Sequence, residues 1–270
     1  VNGLPLLSET ERNPMLTTTY GTGELILHAI EHGYREFIIG IGGSATNDAG
    51  LGMLQALGFR FYDQNGEILG KGGQILDQIV AIDFSSVHPA LKDARFTIAC
   101  DVRNPFSGPE GAAYVFARQK GADGAMIEKL DAGMKRFSRL IHSTTGREIT
   151  EVAGAGAAGG LGGAFLAFLN AELKPGIELL LRTLKFDEKI KDADLIITGE
   201  GRVDRQSVMG KVPFGILEEA NKQGIPVIVV AGSIADTEVL NKAGFRGIFS
   251  IVPSPMSLEV AMKPEAAKNN

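Results

Sequence analysis

Apolar positions recur along the chain with two different spacings, and glycine-rich polar stretches separate them. Residues 24–32 have helical spacing and stop at Gly33, which suits the left-handed turn after a helix. Phe37-Ile38-Ile39-Gly40-Ile41 is a short apolar run that reads as a buried strand. Gly42-Gly43-Ser44 breaks it, and a helix is predicted over residues 48–57. Residues 59–69 read as a hairpin that turns at Asp63-Gln64-Asn65-Gly66. A strand is predicted over 95–101, a polar helix over 123–142, and an apolar helix over 165–173 that Pro175 ends. Just before that helix, residues 154–163 are nearly all glycine and alanine.

Beyond Pro175 the rhythm changes. Strands are predicted at 195–197, 227–230 and 248–252, with helices at 211–223 and 238–243 between them. Such alternation implies parallel strands joined by right-handed crossovers. Three strands are few for a sheet that should be covered on both faces. The expected fold class is therefore α/β in two domains. A larger mixed α/β domain is expected over 1–188, and a Rossmann-like parallel-sheet domain, incomplete in this chain, over 189–270.

Composition narrows the function classes. The formal net charge of −5 gives no global basic field for nucleic acid. No apolar run approaches the ~18 residues of a membrane span, and no segment reads as a signal peptide. The single cysteine, Cys100, excludes an internal disulfide and reads as a strand thiol rather than a nucleophile. A reducing, cytoplasmic setting is expected. The chain opens at Val1 instead of Met and is read as starting inside a larger protein; its end, from Glu265, reads as frayed.

The 35 glycines are about twice the usual share of ~7%, and they cluster. Four clusters lie near element boundaries. They are Gly42-Gly43-Ser44-Ala45-Thr46-Asn47-Asp48-Ala49-Gly50, Asp101-Val102-Arg103-Asn104-Pro105, Gly154-Ala155-Gly156-Ala157-Ala158-Gly159-Gly160 and Thr198-Gly199-Glu200-Gly201-Arg202-Val203-Asp204. Each alone reads as a turn, with Asp48 and Asp101 as caps and Asn104-Pro105 as a turn dipeptide. Together they share a chemistry. Glycine lets backbone amides approach an anion without a Cβ in the way, and a helix start adds free N–H groups. Carboxylates at strand ends suit Mg²⁺, which takes one or two of them plus water and phosphate oxygens.

Two patterns point elsewhere and carry little weight. Gly154 to Gly159 fits a dinucleotide G-x-G-x-x-G, but the residues before it make a poor strand. His28-Ala29-Ile30-Glu31-His32 fits an H-x-x-E-H zinc pattern, but no third ligand is evident and His32 suits a helix C-terminus. There is no P-loop, and no nucleophile elbow.

The clusters, in this order, resemble those of the bacterial type I glycerate kinase family. The matching stretches also include Thr19 to Gly23, Phe116 with Gln119-Lys120-Gly121-Ala122, and Gly210-Lys211-Val212-Pro213. The similarity runs over nearly the whole chain. Arg103, Val203 and Ser207 are small departures from the family pattern, and the family's further N-terminal and C-terminal segments are not present. The resemblance implies a two-domain enzyme with its active site in the interdomain cleft. It implies ATP, Mg²⁺ and glycerate as ligands and 2-phosphoglycerate as the favoured product.

Phosphoryl transfer needs positioning, charge neutralisation and a base near the attacking hydroxyl. The candidate catalytic residues are Asp48, Asp101, Glu200, Asp204 and Lys211, with Asp101 or Asp204 as the base and Asp48 and Glu200 on the metal. Candidates for phosphate or substrate binding are Gly42, Gly43, Ser44, Asn47, Asn104, Gly199, Gly201 and Arg202. The expected partners are glycerate and ATP, without nucleic acid or membrane, and homo-oligomerisation stays open. A kinase of another small hydroxy acid, or a non-catalytic anion-binding module, would fit the same clusters.

Overall fold

The computed structural model describes residues 2–204, 211–252, 256–261 and 263–265; Val1, Ser207, Gly210 and the terminal run from 266 lie outside them. The chain forms two units, Val1–Lys174 and Pro175–Asn270.

In the first unit come α1 (Tyr20–Glu31), β1 (Glu36–Gly40), α2 (Leu51–Ala56), β2 (Arg60–Tyr62), β3 (Ala81–Asp83), β4 (Arg95–Ala99), α3 (Ala112–Phe116), α4 (Gly124–Thr145), α5 (Ala157–Phe168) and β5 (Glu172–Lys174). β1, β4 and β5 form a parallel sheet in that order, with Ile39 opposite Ile98 and Ile98 opposite Leu173. α4 shows how the sequence builds this unit. The Asp123 carboxylate accepts from the Met126 amide at 2.8 Å, Ile127, Leu130, Met134, Phe137 and Ile141 bury one face, and Gly146 ends the helix at φ 72°. Phe61, Phe106 and Phe165 join Phe137 in the core beneath it. Each such ring contributes about 1.5–3 kcal/mol by leaving water.

Three expectations change here. The hairpin over 59–69 is reduced to a bridge between Tyr62 and Ile68, and β2 pairs instead with the unforeseen β3. The helix expected from residue 48 begins at Leu51, because Ala49 (φ 51°) and Gly50 (φ 77°) are left-handed. The helix expected over 165–173 is α5, which starts within the glycine run and ends at Phe168. Residues 172–174 leave it to pair with β4.

The second unit holds α6 (Gly176–Thr183), α7 (Phe186–Lys189), β6 (Ile196–Val203), α8 (Val212–Lys222), β7 (Val227–Ile234), α9 (Thr237–Ala243), β8 (Gly247–Ser250) and α10 (Leu258–Ala261). β6, β7 and β8 lie parallel in that order, and Val227, Val229 and Ala231 of β7 point into the core. The division falls at Lys174, ahead of the 188 expected, because α6 and α7 belong to this core. Ile177 fills the space beside Gly215, where an added Cβ would lie 2.5 Å from it, and Gln223 donates to the Asp187 carbonyl at 2.8 Å. β6 runs six residues past the expected end at Ile197, with residues 199–203 paired against β7 from Val230 to Ile234.

Candidate active site

The carboxyl ends of parallel strands are where α/β proteins hold ligands. In the first unit, Ile41 to Ser44 follow β1 and Cys100 to Val102 follow β4. A cavity of about 230 Å³ opens there, walled by Gly42, Gly43, Ser44, Asp101, Gln119 and Lys120, with Ala157 and Ala158 at the entry to α5. Residues from three of the four glycine-rich clusters thus meet around one space. A second, mainly apolar cavity of about 350 Å³ shares Ile41, Gly42, Ser44 and Ala158 with it.

The turn after β1 is held from outside. The Leu4 amide donates to the Gly43 carbonyl and the Ala45 amide to the Asn2 carbonyl, each at 2.7 Å. The Ser44 hydroxyl accepts from the Thr46 amide at 3.1 Å. Gly43 needs glycine for its backbone, at φ 69°, whereas Gly40 and Gly42 do not have positive φ and an added Cβ at either would meet nothing within 4 Å. Neither conformation nor packing demands glycine at those two positions. What its absence of a side chain provides is room beside the cavity.

Asp48 stands behind this turn, not on the cavity wall. It is fully buried. Its Oδ2 accepts from the Thr19 amide (2.7 Å), the Thr19 hydroxyl (2.9 Å), the Thr18 hydroxyl (3.2 Å) and the Gly52 amide (3.2 Å), and its Oδ1 from the Gly50 amide (3.2 Å). Burial raises its pKa above the ordinary Asp value, and the donors from Thr19, Gly52 and Gly50 oppose that rise. In place of an open metal ligand, Asp48 is the knot that ties α1 to the start of α2. Those elements cross closely, with room only for glycine at Gly23 and Gly52.

Asn47 and Asn104 are also framework. Asn47 is buried and donates to the Met134 sulfur at 3.3 Å. The Asn104 side chain donates to the Glu110 carbonyl (2.8 Å), and its own carbonyl accepts from the Gly154 (3.2 Å) and Gly156 (3.1 Å) amides, fastening the second cluster to the third. Cys100 is half-buried, burial raises its thiol pKa, and it donates to the Val102 carbonyl at 3.3 Å; a thiol so placed is a poor nucleophile.

In the second unit, the expected bend at Gly199–Gly201 is strand. Arg202 Nε lies 3.1 Å from Asp204 Oδ2, and Lys211 Nζ lies 3.8 Å from Glu200 Oε1. Thr198, Glu200 and Arg202 alternate onto one face of β6. Glycines within β6 thin a strand here instead of shaping a loop.

The two stray patterns resolve structurally. Gly159 and Gly160 lie inside α5 with left-handed φ of 68° and 91°, and a Cβ on Gly159 would sit 2.1 Å from the Thr46 carbonyl oxygen. His32 follows the end of α1, its Nδ1 2.8 Å from the His28 carbonyl.

Comparison with known proteins then decides the family. The model of the Glycerate kinase family matches residues 1–270. The chain is 48% identical over 263 residues to a glycerate kinase of Halalkalibacterium halodurans, covering 97% of this chain and 69% of that protein. It is 47% identical to the glycerate 2-kinase of Escherichia coli, with the same two coverages. A solved structure from Salmonella typhimurium, provisionally described as glycerate kinase 2, is 44% identical with a TM-score of 0.83, over 99% of this chain and 69% of that one.

This chain belongs to the glycerate kinase family. Membership makes it an enzyme of the phosphotransferase class, and the mixed α/β fold with parallel sheets agrees with the Salmonella structure. Among the described residues no helix is long and apolar enough to cross a membrane.

Lys120, on the cavity wall, lies in a stretch that resembles the family but has no evident role in the sequence. It closes a 3₁₀ turn, Arg118–Lys120, before Gly121 at φ 96°. Only 2% of it is exposed, and its Nζ donates to the Thr46 carbonyl at 2.5 Å. A lysine beside glycine ordinarily reads as a solvated charge, and nothing local marks this one as buried. The sole hint was its place in a matching stretch.

Proposed function

We propose that the protein transfers the γ-phosphoryl group of ATP to D-glycerate, giving 2-phosphoglycerate, in the cytoplasm. One observation carries this reading: the cavity in which Gly42, Gly43 and Ser44 meet Asp101 and Lys120 at the ends of β1 and β4. It is small enough to select a compact hydroxy acid and combines a carboxylate, a cation and an unobstructed glycine backbone.

In this reading Asp101 accepts the proton of the attacking hydroxyl. The hydroxyl oxygen forms a bond to the γ-phosphorus, the bond to the bridging oxygen breaks, and ADP leaves with that electron pair. The walls fix the acceptor so that the step is effectively intramolecular. Within the second unit, Arg202 beside Asp204 and Lys211 beside Glu200 are cations of the kind that pairs with anionic oxygens.

Magnesium fits part of the expected set. Asp48, with five donors on its carboxylate, has no fit to a cation. Asp101 on the cavity wall has the hard oxygen donors that Mg²⁺ prefers. When bound, the cation would neutralise charge developing on the phosphate oxygens.

The decisive experiment is phosphorus NMR of the product made from ATP and D-glycerate. 2-Phosphoglycerate is expected. 3-Phosphoglycerate would overturn the choice of hydroxyl, and turnover of other hydroxy acids in preference to glycerate would overturn the substrate.

A further inference from the structure

Among the described residues the cavity wall carries one cation, and it is buried. Lys120 is 2% exposed. An ammonium carries three N–H donors; among the described residues, the acceptor for Lys120 is the Thr46 carbonyl, and no carboxylate comes within ion-pair distance. The acid whose charge it feels is Asp48, but that carboxylate is saturated by Thr18, Thr19, Gly50 and Gly52.

A charge so placed does not serve the fold. Taking an ammonium out of water costs several kcal/mol even after relaxation, and here no paired carboxylate offsets it. One hydrogen bond to Thr46 is a weak return for desolvating an ammonium, since such bonds to charged groups are worth about 1.5–3 kcal/mol. Burial indeed lowers its pKa to about 8, the Asp48 charge partly opposing the drop. Perturbed buried groups with incomplete partners concentrate at functional sites. Lys120 also lines the cavity beside Gly42, where a Cβ would meet nothing, so an approaching oxygen atom finds space as well as charge.

We propose that Lys120 is the cationic anchor for an anionic oxygen of the ligand in this cavity. The inference rests on the cavity being the kinase's substrate site, and it names the group that fixes the anion there. The oxygen belongs either to the carboxylate of the hydroxy acid or to a phosphate, and both ask for the same contact. Thr46 holds the ammonium in place, and the two remaining N–H groups meet the ligand.

The test is calorimetric titration of the intact protein with D-glycerate and, separately, with inorganic phosphate. Wild type is compared with Lys120→Met and Lys120→Gln; the glutamine keeps an N–H donor and removes the charge. Both variants should melt at or above the wild-type temperature and lose affinity for one of the two anions by about thirtyfold or more. Loss with D-glycerate assigns the carboxylate, and loss with phosphate assigns the phosphoryl group. The proposal fails if Lys120→Gln binds both anions like wild type, or if wild type binds neither. Should Lys120→Met not fold, the glutamine variant alone decides. Because titration needs no turnover, Lys120-dependent binding without phosphoryl transfer would sink the kinase reading and leave the anchor standing.

Discussion

Two glycine-rich segments of the first unit look alike in sequence and do opposite things. In α5 and its approach, every glycine from Gly159 to Gly163 is pressed by neighbours. A Cβ would lie 2.1 Å from the Thr46 carbonyl at Gly159, 2.4 Å from the Gly154 carbonyl at Gly162 and 2.6 Å from the Phe106 ring at Gly163. At the end of β1 and in the turn after it, a Cβ at Gly40 or Gly42 would touch nothing. The first segment uses glycine to bring backbone against backbone, and the second uses it to leave a cavity open. Glycine content therefore marks both segments, but only the added-atom geometry separates scaffold from site.

The largest effect should come from the scaffold side. Gly159→Ala combines a left-handed backbone, φ 68°, with a direct clash. Strain of ~1–2 kcal/mol and overpacking of ~1–3 kcal/mol predict a loss of about 2–5 kcal/mol. Equilibrium urea unfolding checks it, and a wild-type midpoint would mean that the close packing at the start of α5 is not what glycine is for.

Asp48→Asn comes next. An amide cannot accept at both positions, so at least one of five donors loses its partner, at about 1–3 kcal/mol. Thermal unfolding without ligand should show the loss. If stability is unchanged while only magnesium dependence shifts, Asp48 belongs to the open region after all.

Gly42→Ala is the converse. Its stability should stay within about 0.5 kcal/mol of wild type. Its kcat/KM for D-glycerate should fall about tenfold, equivalent to about 1.4 kcal/mol, because the methyl group intrudes on the ligand's space. A destabilised Gly42→Ala with normal kinetics would erase the distinction between the two segments.

The same contrast explains what could be read from sequence. α4 was legible except for its last turn: the spacing of Ile127, Leu130, Met134, Phe137 and Ile141 is a local signal, but the expected end at His142 falls short of Thr145. α5 was half hidden, since a Gly-Ala helix buried all round has no polar face to set a period. β3 and β5, at three residues each, are shorter than any pattern can show. β6 was cut short because Gly199 and Gly201 look like bends, while the pairing that straightens them comes from β7, about thirty residues away. In the candidate site, Asp101 and the turn at Gly42 were visible as strand-end chemistry. Lys120 took no role because its partner, Thr46, is 74 residues distant.

The smallest effect concerns Lys120 itself and bears on which side of the comparison it belongs to. Its folded pKa is lowered to about 8, so the folded state binds fewer protons than the unfolded chain from there up to the ordinary lysine value of 10.5. Its contribution to stability is therefore fully present above 10.5 and is lost as pH falls through about 8. Asp48, whose pKa is raised, has the opposite sign: its contribution is lost as pH rises through that raised value. The difference between wild type and Lys120→Met isolates the lysine. Between pH 7.5 and 9, wild type should gain on the order of 1 kcal/mol relative to the variant in urea unfolding. A scaffold lysine that pays for its burial through Thr46 would show the opposite: a variant less stable at pH 7.5, and a gap that widens as the pH is lowered.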